Sequence, residues 1–142
     1  MPNAQSQVHS NEESGQSSLA GMSDQCQLDF ELGFYSGIIQ RHRDYVDALR
    51  VHGNNLTLKG RYRDGLEIDQ RLVELRPADP VVRYNLACSY ALLGDADASL
   101  TSLRQAIEMG YRDFRYIRED RDLDAIRNDP RFNRILSEFE NG

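Results

Sequence analysis

The sequence predicts an all-α fold in which antiparallel helix pairs stack into an α-solenoid. Three observations lead there. From Leu28 onward apolar residues recur at intervals of three and four, the helical period. Glycines and aspartate–proline pairs cut that pattern into segments of helix length. The segments also return after 34 residues: Gly60 and Gly94, Leu66 and Leu100, Glu74 and Glu108, and Asp79 and Asp113 are each separated by that interval. No alternating stretch long enough for a strand lies between these signals. About seven helices are expected.

Taken in order, residues 1–26 come first as a polar tail. Ser, Gln, Asn and Gly dominate it, its only acidic residues are Glu12, Glu13 and Asp24, and apolar residues are sparse. Such a stretch buries too little apolar area to offset the entropy of ordering, so disorder is expected. It has neither the basic start nor the apolar run of a secretory signal. A helix over 28–43 then places Leu28, Leu32, Tyr35, Ile39 and His42 on one stripe, broadened by Phe34 and Ile38. Gly33 and Gly37 share a face of it and predict a close helix crossing.

Asp44 is placed to cap a second helix carrying Val46, Leu49, Val51, Leu56 and Leu58, which Gly60 stops. A third, with Leu66, Leu72, Val73 and Leu75, ends at Pro77. Asp79-Pro80 supplies an N-cap and a first-turn proline for a fourth, which runs to Gly94. Asp95 or Asp97 opens a fifth, closed by Gly110, and Asp129-Pro130 opens a last one with Phe132, Ile135, Leu136 and Phe139 on one face. The domain therefore spans 27–142, with repeat units at 46–79 and 80–113 and capping helices at 28–43 and 114–142.

Composition narrows the function. Seventeen basic residues against 23 acidic ones leave a net charge of −6 over 142 residues, so a nucleic-acid partner is not expected. Seven arginines between Arg112 and Arg134 are interleaved with six acidic residues and make no basic patch. No apolar run reaches the length of a membrane span. Cys26 and Cys88 lie far apart, in no zinc-ligand spacing and away from His9, His42 and His52. Reduced thiols, a cytoplasmic setting and no metal or other cofactor are expected. Phosphate-binding loops, HExxH and GxSxG are absent, so no enzymatic activity is expected either. The aspartates of the EDRDLD run read as a solvated helix surface with local ion pairs, since the spacing lacks the glycine and final glutamate of a calcium loop.

Units 46–79 and 80–113 share five identities, but residue class agrees at the positions that set packing. Gly53 and Ala87 allow close approach, Leu56 and Tyr90 fill the seam, and Gly65 and Ser99 face the crossing. On these residues the run YNLACSYALLGDADASLTSLRQAIEMG closely resembles a tetratricopeptide repeat, and GNNLTLKGRYRDGLEIDQRLVELRP resembles one moderately, over roughly 28–113 in all. The segment from Gly110 to Leu136 resembles a closing extension of bacterial arrays of this family. Terminal units of stacked folds must cover exposed apolar surface, which suits that segment.

The resemblance implies a non-enzymatic adaptor or scaffold that binds a protein, as a peptide or helix, on a concave side lined by the first helix of each repeat. Asp47, Arg50, Asn54, Thr57 and Leu58 would face it from one repeat and Val81, Tyr84, Asn85, Cys88 and Leu92 from the next. Arg50, Asn54 and Asn85 match positions of the family's carboxylate clamp, Arg115 would supply a fourth, and Glu119 stands where a basic residue belongs. Self-association into a homodimer through the 28–42 helix is the alternative. The resemblance also sets His52 opposite Asp69 at positions usually apolar. They form either a hydrogen-bonded pair, because a buried lone polar group costs about 1–3 kcal/mol, or two surface groups on slightly rotated helices.

Overall fold

The computed structural model describes the backbone of residues 14–141, with side chains from Asp24 onward. Eight α-helices follow one another among the described residues: α1 (Ser14–Arg41), α2 (Val46–Leu58), α3 (Tyr62–Leu75), α4 (Pro80–Leu92), α5 (Ala96–Glu108), α6 (Phe114–Glu119), α7 (Asp124–Arg127) and α8 (Pro130–Glu140). A single 3-10 turn (Arg121–Leu123) separates α6 from α7. No strand forms among these residues.

Each helix from α1 to α5 packs on the next, as short connections between neighbours require. The chain then doubles back. The 3-10 turn and α7 lie against α4, and α7 and α8 lie against α5.

The helix ends follow from their sequence. Asp79 accepts hydrogen bonds from the amides of Val81 (2.9 Å) and Val82 (3.4 Å), ahead of Pro80. Asp95, Asp113 and Asp129 cap α5, α6 and α8 in the same manner. At the end of α2 the Arg61 amide donates to the Leu56 carbonyl, with Gly60 at φ +85°. At the end of α4 Asp95 donates to Tyr90, with Gly94 at φ +83°. This 6→1 bond across a left-handed residue is the Schellman closure, which glycine adopts without steric cost.

The α2–α3 crossing depends on small residues. A Cβ at Gly53 would stand 3.1 Å from Ile68 Cγ2, and one at Gly65 would stand 3.3 Å from Thr57 Oγ1. In the following pair Ser99, fully buried, donates to the Ala87 carbonyl at 2.8 Å.

Several expectations need correction. α1 begins at Ser14, ahead of the boundary placed at 26, while residues 1–13 of the expected tail lie outside the described residues. Tyr45, not Asp44, takes the N-cap position of α2 and contributes no side-chain bond, because Asp44 sits one residue too early. Gly33 and Gly37 mark no close crossing: a Cβ at Gly33 meets nothing within 4 Å, and one at Gly37 meets only Arg41. Phe34 lies outside the buried stripe of α1, at 53% exposure.

The core has two parts. Leu49, Leu72 and Val82 form a small cluster where α2, α3 and α4 meet. The larger one joins α4 and α5 to the C-terminal segment, where Ile117, Leu123, Ile126, Phe132 and Leu136 are essentially inaccessible. The C-terminal segment thus packs five large apolar side chains against α4 and α5.

Candidate functional site

A groove of about 320 Å³ runs across α2 and α4 and ends on the C-terminal segment. Its position follows from the helical repeat. Arg50 and Tyr84, and likewise Asn54 and Cys88, are 34 residues apart, and all four line it. Thr57, Val81, Asn85 and Leu92 line it as well. Asp47 and Leu58, expected on the same face, are exposed and do not.

The four residues matched to carboxylate-clamp positions do not come together. Arg50, Asn54 and Asn85 share the groove, but the Arg50 guanidinium is held by Asp79 at 2.7 Å. Arg115 is outside the groove, highly exposed, and 3.4 Å from Glu119. The 34-residue offset that would bring it there lapses after α5, where α6 has only 6 residues.

On the α3 side the groove floor carries Asp69, 8% exposed. The Ser89 hydroxyl donates to its Oδ2. The His52–Asp69 pair does not form. The buried Nδ1 of His52 has no hydrogen-bond partner. Asp69 lies against Gly53, where the close crossing leaves its carboxyl facing α4. Burial pushes the Asp69 carboxyl up to about 6, partly offset by the Ser89 hydroxyl. Burial lowers the His52 imidazole from its ordinary range, and the Arg61 charge adds to this.

The far end of the groove is aromatic and acidic. Tyr84, 3% exposed, donates its hydroxyl to Asp120 Oδ2 at 2.6 Å. Its ring stacks on Tyr111 with centroids 4.3 Å apart and planes within 5°, and Tyr116 stands 6.1 Å away at a tilt. Asp120 Oδ1 accepts the Asp122 amide at 3.0 Å, which closes the 3-10 turn. Burial is the main cause raising the Tyr84 hydroxyl, the Cys88 thiol and the Asp122 carboxyl above their ordinary ranges; the Asp120 charge adds to each. For Tyr111, burial and then Asp113 push the hydroxyl up to about 12.

Cys88, Asp120 and Asp122 bring three donor atoms within 4.8 Å of one another. As a metal site the set is poorly prepared. Both Asp120 oxygens already accept hydrogen bonds, and the Cys88 thiol is held in its protonated form while a metal needs the thiolate.

Among the lining residues that sequence reasoning did not place there are Asp69, Tyr111, Tyr116, Asp120 and Asp122. The EDRDLD run is not simply a solvated surface, because two of its aspartates line the groove. The interleaved arginines do not neutralise them: Arg118 pairs with Glu140, and Arg127 turns to backbone carbonyls and Asp124. The available signal was Asp120 itself, two residues before Asp122 and able to cap the turn.

No family model matches the chain. Over 104 residues it is 33% identical to a chloroplastic protein of Arabidopsis thaliana; the alignment covers 71% of this chain and 30% of that protein. The chain thus spans less than a third of the length of the curated relative it matches.

Proposed function

We propose that this chain is a non-enzymatic interaction module of the tetratricopeptide-repeat kind, which holds a peptide or helix of another protein in the groove. One observation carries the reading: residues 34 apart, Arg50 with Tyr84 and Asn54 with Cys88, line one continuous groove from successive first helices. A recurring helix face that lines a trough suits an extended partner better than a compact metabolite. The groove is short, so affinity would be modest or raised by multivalent presentation.

Among the described residues no helix is long and apolar enough to cross a membrane, and Cys26 and Cys88 are unpaired. Free thiols favour a reducing compartment, which we take to be the cytoplasm. The Arabidopsis relative is chloroplastic by name, and that location belongs to the relative.

A display screen of peptides with blocked termini tests the reading. Binders should compete with one another and be lost in Asn54→Arg/Asn85→Arg, whose melting transition should match the parent. Binders unaffected by that double variant would place recognition elsewhere and end the proposal.

A second reading, homodimerisation through α1, is favoured by Phe30 and Phe34. They are 68% and 53% exposed, with stacked rings 6.2 Å apart. Concentration-dependent sedimentation that Phe30→Asp abolishes would support it; monomeric behaviour at high concentration would remove it.

A further inference from the structure

Resting on the reading of the groove as a peptide site, we propose that it selects a segment bearing a lysine or arginine, whose cationic head is received among Tyr111, Tyr116, Asp120 and Asp122. The groove's charge balance supports this first. Asp69, Asp120 and Asp122 place three carboxyl groups along it, against one cation, Arg50, which Asp79 already holds at 2.7 Å. Elsewhere the chain pairs its acids freely, as in Asp64 with Arg61, Glu138 with Arg104, Glu140 with Arg118, and Asp97 with Arg131. Among the described residues none of the three groove carboxyl groups has such a partner. A groove left acidic in a chain with 17 basic residues is complementary to a cation.

The fixed geometry supports it second. Asp120 is held at both oxygens, by the Tyr84 hydroxyl and the Asp122 amide, so its position is set before any ligand arrives. Asp122 makes no side-chain hydrogen bond among the described residues and offers a carboxyl group already half-buried. Beside it Tyr116 is 50% exposed, and ring faces next to carboxylates attract ammonium and guanidinium groups. An organic cation donates N–H groups to this arrangement as it stands. A metal ion would have to displace the Tyr84 bond and deprotonate Cys88, and a peptide's terminal carboxylate would meet charges of its own sign.

The test uses the full chain and four blocked or free pentapeptides, followed by amide NMR shifts of Asn85, Cys88, Tyr111 and Asp120. Two are acetyl-Ala-Ala-Arg-Ala-Ala-amide and its lysine counterpart; the third carries citrulline, which keeps the shape of arginine without its charge. The fourth is acetyl-pentaalanine with a free carboxylate. The arginine and lysine peptides should shift these amides saturably, and citrulline should bind about tenfold more weakly, as loss of a close charge pair implies. Asp122→Asn should bring the arginine peptide to the citrulline level with an unchanged melting transition. Asp120 is a poorer choice because it also anchors Tyr84.

Equal binding of the arginine and citrulline peptides would overturn the proposal, and so would preference for the free carboxylate or no shift at these amides. If the display screen still yields groove binders lacking basic residues, the peptide-groove reading survives and this inference alone fails. If no groove binder exists, both fail.

Discussion

The two ends of the molecule are packed to different degrees. At the C-terminal end fourteen buried residues, including Leu103, Ile117, Phe132 and Leu136, form a continuous apolar core. At the N-terminal end, among the described residues, the buried cluster is Leu49, Leu72 and Val82, with half-buried side chains such as Ile39, Val46 and Ile68 packed against it. There α1 contributes the buried Leu32 and the half-buried Ile39, and polar contacts add to them: Asn55 to Glu31 at 3.1 Å, and Lys59 to Asp29 at 2.7 Å and to Gln25 at 3.3 Å. Surface ion pairs contribute only about 0–1 kcal/mol each, whereas fully burying a Leu or Phe side chain contributes roughly 1.5–3 kcal/mol. Stability in a stack is a sum over neighbours, so this chain should be firm at one end and loose at the other.

The contrast can be broken most severely by ending the chain after Gly110. The exposed α4–α5 face would lose Ile117, Leu123, Ile126, Phe132 and Leu136, and the product should aggregate or lose its cooperative melt. A soluble fragment with a sharp thermal transition would show that the capping segment is dispensable. Within the full chain, Phe132→Ala should cost about 3–5 kcal/mol in denaturant unfolding.

Asp69 sits between the two regions, and its response to pH sharpens the comparison. Its folded carboxyl titrates near 6, above the unfolded value, so between about pH 4 and pH 6 the folded state holds more protons. This group's contribution to stability therefore falls as pH rises through that window and is flat above it. Asp69→Asn should stabilise the protein at pH 7 by up to about 3 kcal/mol and by nearly nothing at pH 4. Melting curves at the two pH values read the difference; an equal effect at both would mean that burial does not govern this carboxyl.

The smallest expected effect comes from matched defects at the ends of α2 and α4. Gly60→Ala and Gly94→Ala each force an L-residue into the left-handed region at about 1–2 kcal/mol. Hydrogen exchange should show the first loosening α1–α3 alone, while the second reaches the larger core. Identical exchange patterns would argue for a uniformly cooperative stack.

Much of the fold was legible because its signals are local. Asp79, Asp95 and Asp129 announce helix starts, Gly60 and Gly94 announce ends, and Gly53, Gly65 and Ser99 mark close crossings. The half of the groove built from α2 and α4 was legible for the same reason, since the 34-residue offset pairs Arg50 with Tyr84 and Asn54 with Cys88. The rest was not. The partner of Asp69 is Ser89 rather than His52, a contact across to α4 that the spacing of α2 and α3 does not encode. Beyond Gly110 the period lapses, so extending it carries Arg115 to a face that it does not occupy and leaves Asp120 and Asp122 on the surface.

Arg127 does not line the groove, yet its guanidinium gathers the carbonyls of Ile117, Arg118 and Asp120. It acts as a clasp on the short stretch of backbone that carries the acidic wall. The polarity of this trough is thus governed from behind, by a side chain that no ligand would touch. Variation at position 127 should shift the acidic wall while every residue that lines the groove keeps its identity.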